Sequence, residues 1–122
     1  EAAAANRGRS AIHIQLPDLS ELMAQADLAL GAGGVTTWER CCLGLPSVLI
    51  VCALNQEKIG EAIGKLGAAI VLYPNGNVTD QVREQVAMLC GDTKKYLKIS
   101  HRAKRICDGL GVSRVSGTIT LR

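Results

Sequence analysis

Aromatic side chains are almost absent from this sequence of 122 residues. Phe does not occur, Trp occurs once and Tyr twice, whereas hydrophobic residues as a group reach 48%. The core must therefore be aliphatic. Modules that bind single-stranded nucleic acid by stacking its bases need aromatic platforms, so this composition disfavours them. The net charge of +3 is too small to argue for nucleic acid by itself, and we expect no nucleic-acid partner.

Long apolar runs are missing as well. A membrane-spanning helix needs about 20 consecutive apolar residues, whereas the most apolar stretch, residues 43–54, is interrupted by Gly44, Pro46 and Ser47. The N-terminus has no charged segment that leads into an apolar one, as a secretory signal would have. We therefore expect a cytoplasmic protein without a spanning helix.

The five cysteines are odd in number and show no C-x-x-C spacing. They are Cys41, Cys42, Cys52, Cys90 and Cys107. Structural zinc requires clustered ligands, and neither His13 nor His101 neighbours a pair of cysteines. We therefore expect buried, reduced thiols, with no metal and no cofactor.

Strand-like and helix-like segments alternate through most of the chain. The continuous apolar run at residues 48–51, VLIV, is typical of a strand that is buried on both faces. We predict strands at residues 11–16, 27–30, 47–52 and 69–72, and helices at residues 19–25, 37–43, 56–66, 79–90 and 93–110. Residues 1–10 are interpreted as a helix end followed by a turn, and residues 111–122 as weakly strand-like. This alternation predicts an α/β domain, a Rossmann-like parallel sheet with helices on both faces.

A glycine-rich segment connects a predicted strand to a predicted helix, where a parallel sheet places its ligand site. Glycine lets the backbone approach a ligand, and the start of a helix offers free N–H groups and a positive dipole end that suit phosphate. The segment is neither a dinucleotide fingerprint, since Thr36 replaces the third glycine, nor a P-loop. A tight turn without a ligand is the alternative. The candidate residues are Gly31, Gly33, Gly34, Val35, Thr36 and Thr37.

Three further polar residues are candidates, and two of them, Glu39 and Asn55, also have a structural interpretation. Glu39 can accept hydrogen bonds from ribose hydroxyls, or it can complete a capping box with Thr36. Asn55 and Gln56 follow the buried strand, where amides suit sugar hydroxyls, but Asn55 can equally cap the next helix. The residues alone leave these alternatives open.

Residues 26–47, ADLALGAGGVTTWERCCLGLPS, resemble the UDP-2,4-diacetamido-2,4,6-trideoxy-β-L-altropyranose hydrolases of pseudaminic acid biosynthesis and related spore-coat polysaccharide proteins. Asn55, Gln56 and residues 107–111, CDGLG, continue the resemblance. It implies that residues 1–122 are the C-terminal, nucleotide-sugar-binding domain of a longer GT-B protein. It also implies that the turn at residues 33–37 holds the diphosphate, that Glu39 holds the ribose, and that Asn55 and Gln56 lie toward the sugar.

The resemblance implies a hydrolase that releases UDP from a diacetamido-trideoxy sugar nucleotide. The family's catalytic histidine belongs to the N-terminal domain, and neither His13 nor His101 matches it by position. We therefore assign no catalytic residue and expect this domain alone to be inactive. The expected partners are UDP or a UDP-sugar and the missing N-terminal domain. The alternatives are the corresponding half of a nucleotide-sugar glycosyltransferase, and a non-catalytic binding module on the same fold.

Residues 94–105 contain seven basic or imidazole side chains and no acid. At helical spacing Lys94, Lys98, His101 and Arg105 share one face, opposite an apolar face, which predicts an amphipathic surface helix. We expect its basic face to be solvated and do not expect a membrane partner. An anionic membrane surface, nucleic acid and an acidic partner are the alternatives.

Overall fold

The computed structural model describes Gly8 and residues 10–120, except the side chain of Thr120. The strands of this part are β1 (Ala29–Ala32), β2 (Ser47–Ile50) and β3 (Ile70–Leu72), and they form one parallel sheet in the order β1-β2-β3. The helices are α1 (Ser20–Gln25), α2 (Thr36–Leu43), α3 (Glu57–Lys65), α4 (Val78–Gly91), α5 (Thr93–Ile106) and α6 (Gly111–Thr120). A short 3-10 helix, Leu54–Gln56, leads into α3.

The sheet is built around β2. Val48 is paired with Leu30 of β1 on one side and with Ile70 of β3 on the other. Successive side chains of a strand point to opposite faces, and both Val48 and Leu49 are 0% exposed. The apolar run is therefore buried on both faces, as the sequence predicts.

Helices cover both faces of the sheet. On one face Leu49 packs in a cluster with Ile63 of α3, to which α2 and α5 also contribute. On the other face Val48 packs with Leu89 of α4 and Ile99 of α5. The predicted fold class, a Rossmann-like parallel α/β sheet with helices on both faces, is confirmed.

Helix α5 lies across the amino-terminal ends of the strands. The Ser100 hydroxyl donates a hydrogen bond to the carbonyl of Gly44 (2.6 Å), and the Tyr96 hydroxyl donates to the carbonyl of Asp27 (2.6 Å). Gly44 precedes β2 and Asp27 precedes β1. Ile99, which lies between Tyr96 and Ser100 in the chain, is buried. Helix α5 therefore closes the end of the domain opposite the carboxyl ends of the strands.

The strand predicted at residues 11–16 is not formed. Ile12 and Ile14 are 67% and 79% exposed, and within the described residues β1 pairs only with β2. An alternating pattern is a local property, whereas a strand needs a partner edge to satisfy its N–H and C=O groups. The prediction for residues 1–7 and residue 9 lies outside the described residues.

The tail is helical rather than strand-like. Helix α6 spans Gly111–Thr120, and the apolar side chains of Val112, Val115 and Ile119 recur along it at helical spacing. All three are more than half exposed. The other predicted helices and strands are present, with ends that shift by a few residues. None of the helices in the described part is long and apolar enough to cross a membrane.

Gly60 lets α3 lie close to the sheet. A Cβ at this position would come within 2.9 Å of Val51 Cγ2 and 3.3 Å of Val71 Cγ1. Valine side chains are stiff at χ1, so they cannot easily turn away. At Gly64, one turn later, the nearest atom to a Cβ would be Val71 Cγ2 at 3.4 Å, an ordinary contact.

We expect Gly60→Ala to lower the free energy of unfolding by about 1–3 kcal/mol, the usual cost of overpacking. Gly64→Ala is the matched control on the same helix. It should leave stability unchanged or raise it by up to about 1 kcal/mol, because Ala favours a helix over Gly. Urea unfolding followed by circular dichroism measures both changes. Equal effects of the two substitutions would show that close approach at Gly60 is not required.

Asp108 and Arg114 link the end of α5 to α6. Asp108 Oδ1 accepts hydrogen bonds from the Leu110 N–H (3.0 Å) and from Arg114 Nη1 (3.1 Å). The hydrogen bond from Arg114 is the main cause that lowers the pKa of the Asp108 carboxyl to about 2. Because the pKa falls on folding, any stabilisation is present above the ordinary carboxyl pKa and is lost as the pH falls through about 2.

An NMR titration of the Asp108 carboxyl carbon should therefore have its midpoint near pH 2. In Arg114→Ala the midpoint should rise toward the usual aspartate pKa of about 3.9. Arg83→Ala removes an exposed arginine of α4 and should leave the Asp108 midpoint unchanged. An unchanged midpoint in Arg114→Ala would disprove the assigned cause.

Candidate functional site

A turn at residues 33–35 joins β1 to α2 at the carboxyl edge of the sheet. The Gly33 N–H donates to the carbonyl of Ile50 (3.3 Å), which holds the turn beside the end of β2. The hydrogen bonds of α2 begin with the N–H groups of Thr37 and Trp38, which donate to the carbonyls of Gly34 and Val35. Gly34, Val35 and Thr36 precede these donors, and their N–H groups have no acceptor in the described part of the chain. These residues therefore offer consecutive free donors at the start of α2.

Arg40 lies beside this turn and was not predicted as a site residue. Its Nη2 donates to Thr36 Oγ1 (3.2 Å), and Nη1 lies 3.5 Å from the Ala32 carbonyl oxygen. A Cβ at Gly31 would come within 2.6 Å of Nη2, so Gly31 makes room for the guanidinium. Partial burial lowers the pKa of Arg40, but arginine remains charged at neutral pH. The i,i+4 spacing of Thr36 and Arg40 is the sequence signal that could have identified this contact.

The two predicted threonines are placed differently. Thr36 is half-buried at the first position of α2, and its hydroxyl accepts the hydrogen bond from Arg40. Thr37 is only 1% exposed, and its hydroxyl has no hydrogen-bond partner in the described part of the chain. Val35, in contrast, is 77% exposed at the tip of the turn. The structure therefore places Thr36, and not Thr37, at the surface of the turn.

Glu39 does not form the capping box that was one of its two interpretations. The residue at the N-cap of α2 is Val35, and no side chain caps this helix. The Glu39 side chain is exposed and accepts no hydrogen bond from the described residues. It borders an apolar groove of about 320 Å³ with Trp38 and Cys42. Its carboxylate is therefore available to a ligand.

Asn55 and Gln56 lie in the short 3-10 helix that follows β2. Gln56 Oε1 accepts a hydrogen bond from the Cys52 N–H (2.9 Å), and Gln56 Cβ lies 3.9 Å from the position of a Cβ at Gly33. Gln56 is thus a neighbour of the glycine-rich turn. Asn55 is exposed and does not cap α3, since no side chain caps this helix.

The cysteines are all free, but they are not all buried. Cys41 is buried, which raises the pKa of its thiol, whereas Cys52 and Cys90 are exposed. The prediction of buried thiols is therefore wrong for Cys52 and Cys90, because residues near the ends of secondary-structure elements can face solvent. Among the described residues, no group of three or more His, Cys, Asp or Glu could hold a metal ion. Cys52 lies next to the candidate site and was not predicted to do so.

Comparisons with known proteins find similarity to proteins of polysaccharide biosynthesis. The chain is 27% identical over 106 residues to the spore coat polysaccharide biosynthesis protein SpsG of Bacillus subtilis, covering 86% of the chain and 31% of that protein. It is also similar to the UDP-N-acetylglucosamine--N-acetylmuramyl-(pentapeptide) pyrophosphoryl-undecaprenol N-acetylglucosamine transferase of Acetivibrio thermocellus. The identity is 34% over 94 residues, which cover 73% of the chain and 26% of the transferase. The transferase of the same name from Bacillus licheniformis is 31% identical over 96 residues, which cover 75% of the chain and 26% of that transferase.

The chain thus spans less than a third of the length of each of these relatives. No protein-family model and no solved structure matches it. The match to SpsG supports the resemblance to spore-coat polysaccharide proteins.

The comparisons correct the predicted reaction. Two of these relatives are named as transferases, and none is named as a hydrolase or for pseudaminic acid biosynthesis. The prediction that the whole protein is a hydrolase is therefore wrong. The predicted residues concern recognition of a nucleotide-sugar, which either reaction requires, so they could not distinguish a sugar acceptor from water.

Thiol reactivity tests the placement of the cysteines. Cys52 and Cys90 should react with iodoacetamide at least about tenfold faster than Cys41, because only an accessible thiolate reacts and burial raises the Cys41 pKa. Mass spectrometry of peptides from a time course of labelling measures each rate. Labelling of Cys41 at the rate of Cys90 would contradict this placement.

Proposed function

We propose that this chain is the nucleotide-sugar-binding domain of a glycosyltransferase that acts in polysaccharide biosynthesis. We further propose that it corresponds to the C-terminal half of a GT-B protein. Similarity to transferases named for a UDP-N-acetylglucosamine donor and to a spore coat polysaccharide protein supports this function. The parallel α/β fold supports it as well, because such folds bind ligands at the carboxyl ends of their strands.

The observation that carries the proposal is the row of free donors at the start of α2. The N–H groups of Gly34, Val35 and Thr36 have no acceptor in the described part of the chain. A diphosphate suits such a site, since the N–H groups and the helix dipole both favour negative charge. Arg40 adds a permanent cation beside Thr36. A Cβ at Gly34 would meet nothing within 4 Å, so the turn is open to a ligand.

Polar groups on both sides of the turn fit the remainder of a nucleotide-sugar. Glu39 lies one helical turn beyond Val35, and its free carboxylate can accept hydrogen bonds from the ribose hydroxyls. Gln56 lies beside Gly33, and we assign it to the sugar together with its chain neighbour Asn55. Because the Cys52 N–H occupies Gln56 Oε1, Gln56 offers its NH₂ group as a donor.

The proposed chemistry divides the work between this domain and the rest of the protein. In glycosyl transfer an acceptor hydroxyl attacks the anomeric carbon, the bond from that carbon to the diphosphate oxygen breaks, and a general base takes the hydroxyl proton. The free N–H groups and Arg40 would stabilise the negative charge on the departing diphosphate. The base is not assigned to this chain, since His101 lies on α5 at the opposite end of the domain. The domain alone should therefore bind UDP without catalysing transfer.

A residue-resolved NMR titration with UDP tests the proposal, with CMP and inorganic phosphate as controls. UDP should shift the resonances of residues 31–40 and 52–56 and leave α5 unchanged. In the same experiment Glu39→Gln should raise the UDP dissociation constant about tenfold or more, because a hydrogen bond to a charged group is worth roughly 1.5–3 kcal/mol.

Glu61→Gln is the matched control, since it removes one exposed carboxylate from α3 and should not change UDP affinity. UDP binding that is unchanged in Glu39→Gln would refute the ribose role but leave the diphosphate site standing. Equal shifts with CMP would refute selectivity for UDP, and shifts outside the two segments would overturn the proposed site as a whole.

A further inference from the structure

The positive charge of the chain is concentrated on α5. This helix has no acidic residue, while the rest of the chain contains eight basic and eleven acidic residues. The ion pairs among the described residues are Arg83–Asp80 and Arg114–Asp108. None of the α5 cations takes part in either of them. The α5 cations are Lys94, Lys95, Lys98, Arg102, Lys104 and Arg105. The net charge of +3 therefore comes from one helix.

Helix stability does not explain this arrangement. Lys94 and Lys95 lie in the first turn of α5, where positive charge opposes the helix dipole. Lys98 is four residues from both Lys94 and Arg102, a spacing at which like charges repel each other on a helix. Only Lys104 and Arg105, in the last turn, interact favourably with the dipole. An anionic partner would offset this repulsion.

The basic side chains form one broad surface at the amino end of the sheet. Several of them line an open groove of about 680 Å³ along the outer face of α5. The stem of Lys104 lies against Gly44, and Arg102 lies against Gly67, so the basic surface extends to both sides of the helix. Leu97 lies in this groove and is 48% exposed. The surface therefore combines unpaired cations with an exposed apolar side chain.

We propose, in place of the solvated face expected from the sequence, that α5 docks this domain on the surface of a membrane that contains anionic lipids. Four to eight Lys and Arg on an amphipathic helix are typical of such surfaces, and an apolar side chain among them can enter the headgroup region. Nucleic acid fits less well, because the lining of the basic groove contains neither Phe, Tyr nor Trp for base stacking, and Tyr96 of α5 instead bonds the carbonyl of Asp27. The proposal goes beyond nucleotide-sugar binding and does not rest on it.

Vesicle sedimentation tests the proposal with the full 122-residue chain. The chain should bind vesicles of phosphatidylcholine mixed with phosphatidylglycerol, and should not bind vesicles of phosphatidylcholine alone. The triple variant K94A/K98A/R105A should lower the partition coefficient on anionic vesicles about tenfold or more. The control K58A/K65A/R83A removes three exposed cations from α3 and α4 and should change it by less than about twofold.

A second pair of variants tests the apolar contact. Leu97→Ala should lower the partition coefficient several-fold. The control is Leu66→Ala next to α3, where the leucine is 55% exposed, and it should leave the partition coefficient unchanged. All the substituted side chains are exposed, and circular dichroism checks that each variant keeps the helix content of the original chain.

Three results would overturn the proposal. One is equal binding to neutral and anionic vesicles, and another is an equal loss in the α5 variant and its control. The third is tighter binding to a random-sequence RNA than to anionic vesicles at the same phosphate concentration, lost in K94A/K98A/R105A. That result would assign the surface to nucleic acid.

Discussion

The burial of β2 on both faces is the constraint on which the rest of this domain depends. Val48 and Leu49 have no exposed surface and connect the two helical layers through one strand. The same strand positions both ends of the domain. At its carboxyl end the Ile50 carbonyl holds Gly33, and ahead of its amino end the Gly44 carbonyl holds Ser100 of α5. A change that loosened β2 would therefore disturb the candidate nucleotide site and the basic surface together.

Much of the fold could be predicted because local sequence and tertiary structure agree there. The apolar run of β2 and the glycines after α2 and α3 each identify a strand or a helix end without knowledge of the rest. Residues 11–16 show the opposite case. Their alternation is as regular as that of a real strand, but no described edge accepts their hydrogen bonds. Whether a pattern becomes a strand depends on distant partners, which a local pattern does not contain.

The candidate site was predictable in outline and not in detail. A glycine-rich connection between strand and helix indicates free N–H groups at a known edge of the sheet, and the structure places Gln56 beside it. Arg40 was missed because its role depends on the space that Gly31 leaves for it. The hydroxyl of Thr37 faces inward, a direction that depends on how α2 packs on the sheet. Such orientations come from packing, so residue type and spacing alone do not determine them.

The two proposed surfaces lie at opposite ends of the sheet, and this separation has a mechanical consequence. Each strand rises about 3.3 Å per residue, so the four residues of β2 alone separate them by roughly 13 Å. If α5 rests on a membrane, the turn at residues 33–35 points away from the lipid and stays open to water. A water-soluble donor could then reach Gly34 and Arg40 without displacing the membrane contact. An acceptor held at the lipid surface could not reach this turn by itself. The remainder of the protein would therefore have to bring acceptor and donor together.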